Sequence, residues 1–174
     1  MLELKDSWIE SSEREAVDSD GYGTDIEHPL VTVKKVSARP RPHGQVIVFA
    51  NQKGGVGKST LAFHCAIALC DAGAQVAVID LDCGQQSLSY CLENRSRTAR
   101  FLETELPMPR QVVLQKQNGA QLSQEIARIG SGCDFVIIDL AGQDSLVARF
   151  AIGLADKLVT PINCSTIDID LLGR

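Results

Sequence analysis

Two lysines, Lys53 and Lys58, stand in a glycine-rich stretch at residues 51–60, NQKGGVGKST. A turn of this composition between a strand and a helix aims several backbone N–H groups into one small concavity. The helix N-terminus adds its partial positive charge, and the product is a seat for a phosphate chain. The template G-x-x-x-x-G-K-[ST] is nearly met by residues 52–59, with Gln52 in place of the first glycine. Gly54, Gly55, Val56, Gly57, Lys58, Ser59 and Thr60 are the expected phosphate contacts. Lys58 has the reach for the outer phosphates, and the Ser59 hydroxyl is a hard oxygen ligand suited to Mg²⁺. Two acidic strand ends accompany the loop. Residues 75–81 (QVAVIDL) lead into Asp80-Leu81-Asp82, and residues 135–139 (FVIID) run from apolar residues into Asp139. Carboxylates at the C-terminal ends of strands lie where open α/β sheets hold their ligands. Asp139 can hold Mg²⁺ through a water, and Asp80 is expected near the same ion. Together these residues predict binding of a nucleoside triphosphate with its metal.

Such a site needs strands that end on it and helices that start from it. Residues 45–50 (QVIVFA) read as a strand entering the loop, and residues 61–71 as an apolar helix leaving it. On that helix Leu61, Cys65, Ala68, Leu69 and Ala72 share one face, with Phe63 and Ile67 on another, so burial on several sides is expected. His64 reads as an interior histidine. Residues 75–81 form a second, continuously apolar strand of the kind buried in parallel sheets. Residues 86–101 read as a helix carrying Arg95, Arg97 and Arg100, a solvated face or a basic contact for DNA phosphates or an acidic partner. Pro107 and Pro109 break the pattern, and a helical stretch at 118–129 follows. Residues 135–139 supply a third strand, 146–154 a helix and 157–162 a fourth strand. The order is α/β: a mostly parallel sheet with helices on both faces and right-handed crossovers.

Lys53 is the departure from the common loop template. Lysines at both positions of KGGVGKST resemble the deviant Walker A motif of the MinD/ParA ATPases, which are P-loop NTPases. The resemblance implies that Lys53 reaches across a dimer interface to the partner's nucleotide, an arginine-finger logic in which charge arrives only when two subunits meet. It further implies that Asp82, in the switch-like Asp80-Leu81-Asp82, is needed for hydrolysis. Asp139 then ends a Walker B strand, and Gly142 admits backbone close to the γ-phosphate. Where that family commonly carries a hydroxyl residue and proline after the aspartate, this chain has Leu140 and Ala141. The stretches VAVIDLD, CLENR, FLETELPMP, CDFVIIDLAGQD and LVTPINCSTIDIDLLG resemble the MipZ branch of division-plane positioning ATPases. That likeness spans about residues 45–173. It implies ATP and Mg²⁺ as cofactors, an ATP-dependent homodimer, non-specific DNA binding by that dimer, contact with a ParB-like protein and inhibition of FtsZ polymerisation. A nucleoid-associated place in the cytoplasm goes with it. A ParA-type partition ATPase, a non-hydrolysing adaptor and a nitrogenase-reductase-like redox protein share the loop. The last requires cysteines bridging a cluster between subunits, and no cysteine closely follows Asp139.

Composition is that of an ordinary globular chain: 174 residues, 44% hydrophobic, 22% charged and a net charge of −5. No apolar run reaches the roughly 18 residues that cross a bilayer. The N-terminus, MLELKDSWIE, lacks a signal-peptide pattern, so no membrane association is expected. The six cysteines form no C-x-x-C pair and read as small hydrophobes in a reducing compartment. Residues 1–43 read as a poorly ordered charged leader, with nine acidic residues up to Glu27 against Lys5 and Arg14. Within it Trp8 is a candidate anchor, and His28 and His43 read as incidental. Residues 44–174 read as the ATPase domain, cut short at its C-terminal side.

Overall fold

Alternating apolar strands and helices give β1 (Gln45–Phe49), α1 (Lys58–Asp71), β2 (Val76–Asp80), α2 (Ser87–Phe101), β3 (Arg110–Val113), α3 (Gly119–Ile129), β4 (Phe135–Asp139), α4 (Leu146–Leu154) and β5 (Lys157–Val159). The computed structural model describes residues 43–114 and 118–163. The leader other than His43, including Trp8 and His28, lies outside the described residues, as do Cys164 and the rest of the final stretch.

The strands form one sheet in the order β3-β2-β4-β1-β5. Every pairing is parallel. The period of two along each strand divides the side chains between two helical layers. Val46, Val48, Ala77, Ile79, Val136 and Ile138 pack with Leu122 and Ile126 of α3 and Ala148 and Ala151 of α4. Ile47, Phe49, Val78 and Ile137 pack on the other face with Ala62, Ala66 and Ile67 of α1 and Leu88 and Leu92 of α2. Both faces are therefore covered, and β2 is buried along its whole length.

Three expectations need correction. The segment after Pro109 forms a fifth strand, β3, which among the described residues is an edge of the sheet and pairs only with β2. Its four residues, RQVV, run from exposed to half-buried, so their pattern never becomes strongly apolar. On α1 the buried residues are Lys58, Ala62, Ala66, Ile67 and Cys70, while Leu61 is 44% exposed. Small alanines let the helix lie close on the sheet, with Ile67 packed beside them and Leu61 turned aside. His64 lies on the exposed surface with its ring edge-on to Phe63 at 5.2 Å, and is no interior residue. Among the described residues no helix is long and apolar enough to cross a membrane.

Candidate functional site

The sheet brings the C-terminal ends of β1, β2 and β4 side by side. Register pairs Asp139 with Phe49 on one side and with Asp80 on the other. Three loops thus open at one edge: residues 50–57 after β1, 81–86 after β2 and 140–145 after β4. They enclose a cavity of about 220 Å³ lined by residues 53–60 with Asp82, Gln85, Ser87 and Gly142. Whole-ligand pockets for molecules of nucleotide size run to roughly 300–1,000 Å³. This one suits a phosphate chain and its cation.

Helix capping separates the site from the rest of the fold. Away from the cavity, Asn118 accepts from the Gln121 amide at the start of α3, and Ser145 accepts from the Ala148 amide at the start of α4. The two helices that begin at the cavity have no side-chain cap of this kind. α1 starts from Gly57 at φ 84° and α2 from Gln86 at φ 48°. The first-turn N–H groups of α1 are left to an anion seated at the helix terminus. Gly57 and Gly55 (φ 76°) take left-handed conformations that permit this tight loop. Asn51 braces it: its Oδ1 accepts from the Lys53 amide at 2.8 Å, and its Nδ2 donates to the Pro161 carbonyl at 2.6 Å.

The two lysines have different places. Lys58 is buried, and its ammonium lies 2.7 Å from Asp139 Oδ1. Lys53 is exposed on the cavity wall. Asp139 is fully buried, and its Oδ2 has no hydrogen-bond partner in the protein. Burial pushes its pKa above the ordinary carboxylate range. Hydrogen bonds from Lys58 and Ser59 and the Lys58 charge oppose that shift, and the nearby Asp80 charge adds to it. An orphaned, buried carboxylate oxygen next to the Ser59 hydroxyl is a donor set that fits Mg²⁺.

Asp80 is also fully buried, but its oxygens are in use. Oδ1 accepts from the Asp82 amide at 2.9 Å; Oδ2 accepts from the Ser89 amide at 3.1 Å and its hydroxyl at 2.9 Å. Asp82 Oδ1 in turn accepts from the amides of Gly84 and Gln85 at 3.2 and 2.9 Å. Cys83 Sγ donates to the Leu114 carbonyl at the end of β3. Leu140, at the position where the resembled family commonly carries a hydroxyl residue, is buried in the core, while Gly142 reaches the cavity. Every residue expected at the phosphates is thus gathered at the cavity or directly behind it. Asn51 and Ser89 carried no signal, because the Pro161 carbonyl lies 110 positions from Asn51 and the Asp80 carboxylate meets Ser89 only across the turn from β2 into α2. Arg95, Arg97 and Arg100 lie on α2 away from the cavity lining; Arg97 faces Glu93 and Arg95 faces Asp71. Among the described residues no group of three or more His, Cys, Asp and Glu side chains could hold a metal unaided, and the described cysteines are free thiols.

The sequence profile of the family described as ATPase MipZ matches residues 45–174. An uncharacterised ATP-binding protein of Methanocaldococcus jannaschii is 27% identical over 152 residues, covering 74% of this chain and 56% of its own length. The chromosome partitioning protein ParA of Myxococcus xanthus is 24% identical over 159 residues, covering 75% and 56%. An iron-sulfur cluster carrier protein of Escherichia coli is 36% identical, but over only 78 residues: 42% of this chain and 21% of that protein. This chain therefore spans between about a fifth and just over half of these relatives. Among solved structures, pNOB8 ParA bound to nonspecific DNA superposes with a TM-score of 0.58 at 20% identity, covering 75% of this chain and 57% of that one. A chain of the MinC:MinD cell division protein complex of Aquifex aeolicus gives a TM-score of 0.55 at 24% identity, covering 73% of this chain and 59% of that one. These similarities establish the P-loop NTPase fold.

Proposed function

Because the chain belongs to the MipZ family of ATPases, we propose that it binds ATP with Mg²⁺ at this cavity and hydrolyses it slowly, as a switch between monomer and homodimer. The observation that carries this reading is the contrast between the two lysines. Lys58 is an interior cation that can pass from Asp139 to the outer phosphates. Lys53 is a surface cation on a braced loop at the same mouth, an exposure that supports contact with a second subunit. Each Lys53 would add its charge to the partner's phosphates, so hydrolysis is coupled to assembly. Ser59 and Asp139 would hold the Mg²⁺, with Asp80 close behind. When bound, the ion offsets charge on the phosphate oxygens. Asp82, half-buried on the cavity wall, orients the attacking water.

In the cell this switch positions the division site. The ATP dimer binds DNA without sequence preference on the nucleoid, meets a ParB-like protein and inhibits FtsZ polymerisation. A partition ATPase that moves chromosomes or plasmids would use the same chemistry, and the likeness to Myxococcus xanthus ParA favours it as the second reading.

The test is solution mass without nucleotide, with ADP and with ATP·Mg²⁺, for the full-length protein, Lys53→Ala and Asp82→Ala. The expected result is a dimer in ATP that Lys53→Ala abolishes and Asp82→Ala traps, with phosphate release lost in both. A monomer in every state overturns the trans-lysine mechanism. Dimerisation without turnover in the unmodified protein would instead mark a nucleotide-binding adaptor. Inhibition of FtsZ polymerisation by the dimer separates division-site positioning from partition.

A further inference from the structure

Ser89 is 6% exposed and does not line the cavity, yet it makes two hydrogen bonds to a buried carboxylate. It stands in the first turn of α2, at the third helical position after Gln86, where a neighbouring Ser, Thr, Asp or Asn would normally supply the cap. Asp80 fills that role from the adjacent strand. The same carboxylate uses its other oxygen to hold the Asp82 amide. From Asp82 the chain of bonds continues to the Gly84 and Gln85 amides, and both Asp82 and Gln85 face the cavity. The start of α2 and the loop over the phosphates are therefore fixed by one side chain. Beside the Asp82 amide on Oδ1, its orientation depends on the two donors of Ser89 on Oδ2. Without the hydroxyl, Oδ2 keeps only the 3.1 Å amide bond, and the carboxylate is held less tightly about its last torsion.

We propose that Ser89 is a positioning residue for hydrolysis: by orienting Asp80 it sets the place of Asp82 and Gln85 against the terminal phosphate. The proposal rests on the reading of the cavity as an ATP site. A residue that only caps a helix would contribute to stability and leave the chemical step alone. One that positions Asp82 affects kcat, while nucleotide affinity, governed by residues 54–60, is retained.

The test compares Ser89→Ala and Ser89→Cys, which remove the strong donor, with Ser89→Thr, which keeps a hydroxyl. A hydrogen bond to a charged acceptor corresponds to about a ten-fold change in rate or more, so kcat of Ser89→Ala falls by about that factor while KM for ATP holds. Ser89→Thr recovers most of the rate. Hydrogen exchange without nucleotide supplies an independent readout: the amides of Gly84 and Gln85 lose protection in Ser89→Ala and Ser89→Cys and regain it in Ser89→Thr. A lowered melting temperature with unchanged kcat and unchanged exchange at residues 82–87 overturns the proposal and leaves Ser89 a capping residue. Should the unmodified protein not hydrolyse ATP, the functional reading fails on its own account, and the exchange measurement still decides whether Ser89 sets the loop.

Discussion

Replacing Lys58 by methionine removes the ammonium that lies 2.7 Å from Asp139 Oδ1 and keeps most of the aliphatic stem. At that distance, and with an effective dielectric constant of about 20, the attraction between the two charges is about 6 kcal/mol. Desolvation offsets most of it, since the two side chains are only 9% and 0% exposed. The net worth of the pair is therefore small, but the cost of breaking it from one side is large. Asp139 would be left fully buried without its countercharge and with only the Ser59 hydroxyl beside it, a loss of about 3–5 kcal/mol. For a domain of this size that is a fall of roughly 10–15 °C in Tm. The deficit also has a required pH dependence. Burial already holds the Asp139 carboxyl above its ordinary range, and losing Lys58 raises it further. A carboxyl with a native pKa above its unfolded one favours the folded state in acid and loses that contribution as pH rises through the native pKa. The Lys58→Met deficit must therefore be greatest at neutral pH and shrink toward about pH 4. Urea unfolding of the nucleotide-free protein from about pH 8 to pH 4 measures both quantities. The double variant Lys58→Met with Asp139→Leu should regain most of the stability, because no uncompensated charge remains. A deficit under about 1 kcal/mol, or one independent of pH, would refute the buried pair as the organising contact of the site.

Two further outcomes test the scaffold. A Cβ on Gly44 would lie 2.2 Å from the Asp134 carbonyl carbon and oxygen, which are backbone atoms held in the turn before β4. Gly44→Ala should therefore cost about 2–3 kcal/mol or more by urea unfolding, and a loss below about 0.5 kcal/mol would mean that β1 enters the sheet differently. Glu103 closes α2 in a left-handed conformation at φ 49°. Glu103→Gly relieves that conformation and should raise stability by about 0.5–1 kcal/mol, read as an increase in Tm.

Most of the sheet was legible because β1, β2 and β4 are buried on both faces and so are written as unbroken apolar runs. β3 was hidden for the same physical reason reversed. An edge strand of four residues with one neighbour buries too little to leave an apolar pattern, and the prolines before it read as an end. The helix at the phosphate loop was legible as an element but not in its facing. Alanines suit close approach to a sheet and larger residues tolerate the flank, whereas periodicity alone weights the larger ones. The phosphate-loop residues and both acidic strand ends were recognisable because each is a local signature. What joins them was not. The Lys58–Asp139 pair spans 81 positions and the Asn51–Pro161 bond spans 110, and no window of sequence contains either.

The strand order also governs when the site can come into being. Among the described residues β1 is the first strand in chain order, yet its partners there are β4 and β5. Emerging from a ribosome, it must wait until residues 135–139 and then 157–159 are synthesised before either of its edges is covered. Until then an apolar strand with both edges open is exposed to misassociation, and the long loop closure slows its capture. The phosphate loop hangs from the end of that strand. A ligand at that loop therefore cannot template the early chain and can stabilise only a sheet that already holds β4. A folding defect in β4 or β5 would reach the cavity as surely as a substitution within the loop itself.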